Sequence, residues 1–228
     1  MLLLALDTAT PAVTVALYDG DGGAVVAQSN QVDARRHGEL LLPAVDRVLG
    51  DAGVGLASVT GIVVGVGPGP YTGLRVGLVT AASFGEALGV PVHGLCTLDG
   101  IAYAAGTANG GAELPGEFVV ATDARRKEVY WARYADARTR LGEPSVDRPA
   151  DIAETTAGLP AVGAGALLYP DDFGDVRADL PQHQSAAALA ALAAEKLAAG
   201  EELPAPQPMY LRRPDAKVPA NYKVVTPR

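Results

Sequence analysis

Leu3-Leu-Ala-Leu-Asp7 returns 116 positions later as Val119-Val-Ala-Thr-Asp123, and at the same interval Val13-Thr-Val-Ala-Leu-Tyr18 returns as Val129-Tyr-Trp-Ala-Arg-Tyr134. In that superposition Ala5, Asp7, Val13, Ala16 and Tyr18 coincide with Ala121, Asp123, Val129, Ala132 and Tyr134. Each run is apolar, strand-sized and closed by turn chemistry, Thr8-Ala-Thr-Pro11 in the first copy and Ala124-Arg-Arg-Lys127 in the second. A spaced self-match of this kind makes the chain a duplication.

The surrounding pattern agrees. Leu2–Asp7, residues 13–18 and Ala24–Val32 read as a three-strand meander with Asp19-Gly-Asp-Gly-Gly23 as a turn. Leu41, Val45, Val48 and Leu49 share one face of a helix, with Pro43 in its first turn or at a kink. Residues 60–66 read as a buried strand, 67–73 as a glycine and proline loop, and 74–88 as a second helix halted by Gly89-Val-Pro91. In the second half a short helix at 151–157 and a strand at 159–165 precede a last helix at 185–199. The 228 residues then form two lobes, 1–104 and 105–228, of one α/β protein. Duplicated strand-rich lobes with helices resemble the actin-like, sugar kinase and heat-shock ATPase superfamily (RNase H-like fold), which holds nucleotide between its halves.

Composition narrows the function. A chain this long buries roughly 70 to 75 % of its unfolded surface and needs no staple. One cysteine, Cys96, excludes an internal disulfide, and three histidines leave little for an imidazole metal site. The net charge of −8 disfavours a free-standing nucleic-acid binder. Residues 209–228 nevertheless carry +4 (Arg212, Arg213, Lys217, Lys223 and Arg228 against Asp215), leaving −12 on the rest. That tail is expected to fold back on its own body, and Pro204, Pro206, Pro208 and Pro214 predict an extended strap. No apolar run reaches membrane-span length, and Asp7 arrives too soon for a signal peptide, so a cytoplasmic protein is expected.

Three segments carry candidate chemistry. Asp7, Thr8 and Thr10 offer the carboxylate and hydroxyls that metal-held phosphate requires, a candidate nucleotide loop, although the same residues are ordinary turn formers. The matching turn, Asp123-Ala-Arg-Arg-Lys127, is basic and has no hydroxyl. Gly65-Val-Gly-Pro-Gly-Pro-Tyr-Thr-Gly-Leu-Arg-Val-Gly77 fits neither the phosphate-loop nor the dinucleotide template; it makes a rigid entry to a helix whose first N–H groups, at Tyr71 and Thr72, face an anion or a partner. Behind it, Gly73, Gly77, Ala81 and Gly85 recur every fourth residue, flanked by Leu74, Leu78 and Ala82. Glycine costs about 1 kcal/mol per helix-interior position, so the stripe implies a close contact, either with this chain's own sheet or with another molecule's helix.

These residues resemble the TsaB (YeaZ) family, non-catalytic partners of TsaD, the metal-dependent transferase of tRNA threonylcarbamoyladenosine synthesis. The resemblance rests on Leu4-Ala-Leu-Asp-Thr-Ala-Thr10, Arg36-His-Gly-Glu-Leu-Leu-Leu-Pro43, the glycine-proline segment, Leu95-Cys-Thr-Leu-Asp99, Asp123-Ala-Arg125, Glu128-Val-Tyr-Trp131 and Tyr210-Leu-Arg212, almost end to end. TsaD has Asn-His-Leu-Glu-Gly-His where this chain has Cys96-Thr-Leu-Asp-Gly-Ile101, so Thr97 and Ile101 stand at the metal-binding histidines and neither a metal site nor catalytic residues are expected here. The resemblance further implies a partner surface on helices at 39–49 and 72–88, carried by Leu41, Leu42, Val45, Leu49, Tyr71, Thr72, Gly73, Leu74, Gly77, Leu78, Ala81 and Gly85. It implies a heterodimer with TsaD, a TsaE-type ATPase in the same complex, a homodimer in isolation, and tRNA reached only through the complex, which uses ATP and metal that this chain does not hold tightly. The rival readings are an ATP-dependent phosphotransferase using Asp7 and Thr8, and a metallopeptidase, for which no His-Glu-x-x-His run exists. His93 and Cys96 lack an orienting third group for nucleophilic catalysis.

Overall fold

The computed structural model describes residues 1–108, 114 and 116–212; the basic residues beyond Arg212 lie outside them. The first half runs β1 (Leu2–Asp7), β2 (Ala12–Asp19), β3 (Ala24–Val32), α1 (His37–Ala52), β4 (Gly61–Gly65), α2 (Tyr71–Leu88), β5 (Val92–Leu95) and α3 (Thr97–Thr107). The second runs β6 (Phe118–Asp123), β7 (Val129–Tyr134), β8 (Arg140–Asp147), α4 (Pro149–Thr156), β9 (Ala161–Val162), α5 (Ala164–Leu168), α6 (Pro170–Phe173) and α7 (Ala186–Ala198). The sheets have the orders β3-β2-β1-β4-β5 and β8-β7-β6-β9, the same plan twice. In both, an antiparallel meander is joined by a parallel strand beside its first member.

The repeat is real, but its register differs from the one read in the sequence. Tyr18 pairs with Leu3, whereas Tyr134 pairs with Phe118. With the second strands superposed at 116 positions, the first strands superpose at 115, so Asp7 corresponds to Thr122 and not to Asp123. A one-residue slip turns every side chain to the other face. Ala5 accordingly packs with α7, while Ala121 packs on the opposite side of its sheet with Ile152 and Phe173. The coincidence of Ala5 with Ala121 and of Asp7 with Asp123 is chance; the matches at Val13, Ala16 and Tyr18 are structural.

The last helix of each half crosses to the other lobe. α7 covers Leu3, Ala5, Ala16 and Val63 of the first sheet. α3 places Leu98, Ile101, Ala102 and Ala105 among Phe118, Val120, Ala132 and Tyr134 of the second. The two helices meet where Gly100 leaves room for Leu189: a Cβ on Gly100 would lie 2.9 Å from Leu189 Cδ1. Tyr103 Oη donates to Glu195 Oε1 (2.6 Å), Arg138 pairs with the same carboxylate, and Tyr134 Oη donates to Asp99 Oδ1 (2.8 Å). The lobes are thereby interlocked, and α3 runs through residues 104 and 105.

The other face of the first sheet carries α1 and α2, with Leu4, Leu6, Val13, Val15, Ile62 and Val64 packed against Leu41, Val45, Val48, Leu74 and Leu78. Pro43 sits inside α1, past its first turn. Both helices stop at a left-handed glycine, Gly53 (φ 67°) and Gly89 (φ 66°), whose N–H groups return to carbonyls of the last turn. Residues 159–165 do not form a full strand: pairing with β6 covers Ala161 and Val162, and Gly163 at φ 101° turns the chain into α5.

Candidate functional site

β1 delivers Asp7 to the bottom of the crevice between the lobes, where it is fully buried. Its Oδ1 accepts from Ala9 N (2.8 Å) and its Oδ2 from Thr97 Oγ1 (2.8 Å). Gly65 makes room for the carboxylate, since a Cβ there would lie 2.0 Å from Asp7 Oδ2. Desolvation pushes the Asp7 carboxyl up to about 6, against the opposing pull of those two donors. Thr97 also accepts from Gly67 N (3.2 Å) and returns its own N–H to Gly67 O (2.8 Å), mooring the glycine-proline loop to the start of α3.

Thr8 explains the glycine stripe. Its hydroxyl donates to Gly73 O (2.7 Å) and accepts from Gly77 N (2.9 Å), bridging the two ends of one rung of α2. A side chain on either glycine would collide with this turn: a Cβ on Gly73 would lie 2.8 Å from Thr8 O, and one on Gly77 2.7 Å from Thr8 Oγ1. Gly85 is closed off in the same way by Val92, 2.2 Å from a would-be Cβ. Thr10 donates to Gln184 Oε1, whose Nε2 donates to Ala12 O (2.8 Å), and His37 Nε2 donates to Thr10 O (2.8 Å).

Two expectations change here. Asp7, Thr8 and Thr10 are 0, 1 and 4 % exposed, and each side chain is hydrogen-bonded inside the fold. They form a structural knot and present no free carboxylate or hydroxyl to a phosphate. The stripe of Gly73, Gly77, Ala81 and Gly85, with Leu74 and Leu78, faces this chain's own sheet and turn, and Leu41, Val45 and Leu49 are likewise buried. Of the expected partner-facing residues Leu42, Tyr71 and Thr72 are exposed, and Val79, on the outer face of α2, joins them at 59 %. Beside Leu42 a groove of ≈ 470 Å³ is lined by Leu49, Val54, Leu56 and Phe84. Val79 was legible as the residue opposite the glycines on a helical wheel; Gln184, in a polar run before α7, gave no signal.

Above the knot the crevice opens into a cleft of ≈ 260 Å³. Its walls are the 8–11 turn, Arg35 and His37 at the start of α1, Tyr71 and Thr72 at the start of α2, and Asp123 and Arg125 from the second lobe. Arg125, Arg126 and Lys127 all have positive φ (63°, 57° and 63°), a tight cationic turn. The strap at 201–212 lies along the first lobe: Pro204 O accepts from Gly94 N (2.8 Å), Met209 N donates to Val66 O (2.8 Å), and Tyr210 packs on Tyr71 with centroids 5.3 Å apart. Arg212 then reaches the second lobe, donating to Ala124 O (2.7 Å) and pairing with Glu128. Cys96 is buried, and its thiol is pushed up by desolvation, which removes it as a nucleophile.

A two-lobed, duplicated actin-like fold with its first turn sealed by its own side chains is the class these features define. The model of the TsaD family, described as tRNA N6-adenosine threonylcarbamoyltransferase, matches residues 25–168. The protein Rv3421c of Mycobacterium tuberculosis is 43 % identical over 94 % of this chain and 93 % of its own length. The tRNA threonylcarbamoyladenosine biosynthesis protein TsaB of Escherichia coli is 34 % identical over 75 % of this chain and 74 % of its own. The solved structure of YeaZ from Pseudomonas aeruginosa, 30 % identical, covers 92 % of this chain and 100 % of its own with a TM-score of 0.76. The chain belongs to the TsaB (YeaZ) family, and its role lies in tRNA threonylcarbamoyladenosine biosynthesis.

Proposed function

We propose that this chain is a non-catalytic subunit of the complex that adds threonylcarbamoyl to the adenosine beside the anticodon of tRNAs reading A-starting codons, acting by binding and activating a TsaD-type transferase. The observation that carries this reading is the use made of Thr97 and Ile101. Thr97 is spent on Asp7 and Gly67, and Ile101 is fully buried in the core of the second lobe. Imidazoles at these two places would require that core to be rebuilt. The sealed state of Asp7, Thr8 and Thr10 speaks against phosphotransfer by this chain.

The outer face of α1 and α2 is the surface offered to the transferase. Leu42 and Val79 project from it, and the groove bounded by Leu56 and Phe84 is shaped for an apolar side chain of a partner helix. The same face supports a homodimer when the transferase is absent. ATP and metal would come with the transferase and a TsaE-type ATPase, and the work would be done in the cytoplasm; no helix among the described residues is long and apolar enough to cross a membrane. The test is to mix the purified chain with its cognate TsaD-type protein. A single heterodimeric species by size exclusion with light scattering is expected, and separate elution of the two proteins would overturn the proposal.

A further inference from the structure

We propose that the mouth of the inter-lobe cleft is an RNA-docking surface on which this chain itself holds the phosphodiester backbone of a tRNA stem-loop, with Tyr210 stacking on an unpaired base. The choice of tRNA rests on the function proposed above; the surface rests on charge and geometry. In a chain of net charge −8, cations reach this cleft from four separate elements: Arg35 before α1 and Arg125 of the second lobe line it, Arg75 of α2 lies over the Tyr71 ring, and Arg212 of the strap bonds Ala124 O beside Arg125. Among the described residues, Asp33, Asp123 and Glu128 pair with Arg36, Arg125 and Arg212, and Glu39 lies in the first turn of α1. Arg35 and Arg75 have no ion-pair partner among the described residues.

Aromatic surface lies among these cations. Tyr71 and Tyr210 are 56 and 45 % exposed although they touch each other, and the Arg75 guanidinium lies 4.9 Å from the Tyr71 ring centroid. Exposed aromatics interleaved with arginines are the recurrent platform for single-stranded nucleic acid, each stacked base being worth ~1–3 kcal/mol. The cleft, at ≈ 260 Å³, is below the usual range for pockets that enclose a small-molecule ligand, roughly 300–1,000 Å³. A polymer crossing the mouth suits it better than a nucleotide held inside. The strap fixes the platform by carrying Tyr210 from Val66 of the first lobe to Ala124 of the second.

The test uses the full chain and a fluorescently labelled transcript of a tRNA reading an A-starting codon, with anisotropy read at 50 and 200 mM NaCl. Micromolar binding is expected at the lower salt, weakening roughly 40- to 150-fold at the higher if three or four phosphates are contacted. Arg35→Glu with Arg125→Glu is expected to lose at least tenfold at 50 mM and to flatten the salt dependence. Tyr210→Ala is expected to lose about fivefold or more at both salts with the slope unchanged. Thermal melting and association with the TsaD-type partner, measured on the same variants, are expected to match the parent. Absence of binding at 50 mM, variants that bind like the parent, or full displacement of the RNA by 1 mM inorganic phosphate or ATP would each overturn the proposal. Loss of the heterodimer with RNA binding intact would instead overturn the functional reading alone.

Discussion

The Thr97 hydroxyl donates to Asp7 Oδ2 across 2.8 Å, joining residues 90 positions apart at the one point where β1, the glycine-proline loop and α3 converge. Thr97 also accepts from Gly67 N and returns its own N–H to Gly67 O, so one side chain ties the buried carboxylate to the loop. A hydroxyl that satisfies a buried carboxylate cannot be removed without leaving that group short of a donor.

Asp7 is held ionised at a cost. Its carboxyl, raised to about 6 by burial from an ordinary 3.8, binds its proton more tightly in the folded chain than in the unfolded one. The contribution to stability is therefore fully present below about pH 4 and is lost as pH rises through 6, a loss of about 3 kcal/mol by pH 7.5. Asp7→Asn keeps the acceptor for Ala9 N and removes the charge. The variant is expected to gain stability over the parent on going from pH 4.5 to pH 7.5 in urea unfolding, and parallel pH dependences for the two proteins would refute this account.

The glycine stripe makes an opposite prediction to the one its pattern first suggested. As an intermolecular helix face, Gly77 could accept a side chain without harm to the monomer. In the structure a Cβ on Gly77 would lie 2.7 Å from Thr8 Oγ1, which accepts from Gly77 N. Gly77→Ala is expected to destabilise the isolated chain by about 1–3 kcal/mol, the cost of displacing a buried hydrogen-bonded hydroxyl. Thermal melting of the monomer measures it directly, and an unchanged melting temperature would return the stripe to the interface.

How much of this was legible depended on which interactions leave a local trace. Elements with a clear period were readable: β3 matches its expected bounds, and α2 and α7 start or end within a few residues of theirs. β5 and α3 were not, because Val92–Leu95 is short and includes His93 and Gly94, while α3 is small and apolar on nearly every face, so neither has a period to detect. β8 carries Gly142 and Pro144 and reads as a loop. The site was legible as a list of residues but not as an arrangement. Asp7, Thr8 and Thr97 could each be singled out, yet their pairing depends on contacts across 65 to 90 residues that no local pattern encodes. The register slip that matches Asp7 with Thr122 was hidden for the same reason, since strand pairing is set by the hairpin and not by residue identity.

Leu42 and Val79 separate binding from folding. They are 54 and 59 % exposed, so replacing them removes little buried surface. Leu42→Arg and Val79→Arg are each expected to leave the melting temperature within a degree or two, while a single charge in the apolar centre of the heterodimer weakens association at least 100-fold, about 3 kcal/mol. Isothermal titration against the cognate TsaD-type protein reads this out. Unchanged affinity in both variants would move the interface away from the outer face of α1 and α2.

Arg212 tests whether the strap couples the lobes. It is anchored to Ala124 O and Glu128 in the second lobe, while its neighbours Met209 and Tyr210 are fixed to Val66 and Tyr71 in the first. The ion pair is partly exposed, side chains being 23 and 31 % accessible, so solvent screening limits its worth, and most of the effect comes from the bond to the Ala124 carbonyl. Arg212→Ala is expected to cost about 1 kcal/mol. The more telling outcome is local: hydrogen exchange at Met209 N and across the 124–128 turn is expected to rise while exchange in β1 and β4 stays the same. Uniform acceleration across both sheets would mean instead that Arg212 acts through global stability, and no change anywhere would mean that Pro204 to Met209 hold the strap unaided.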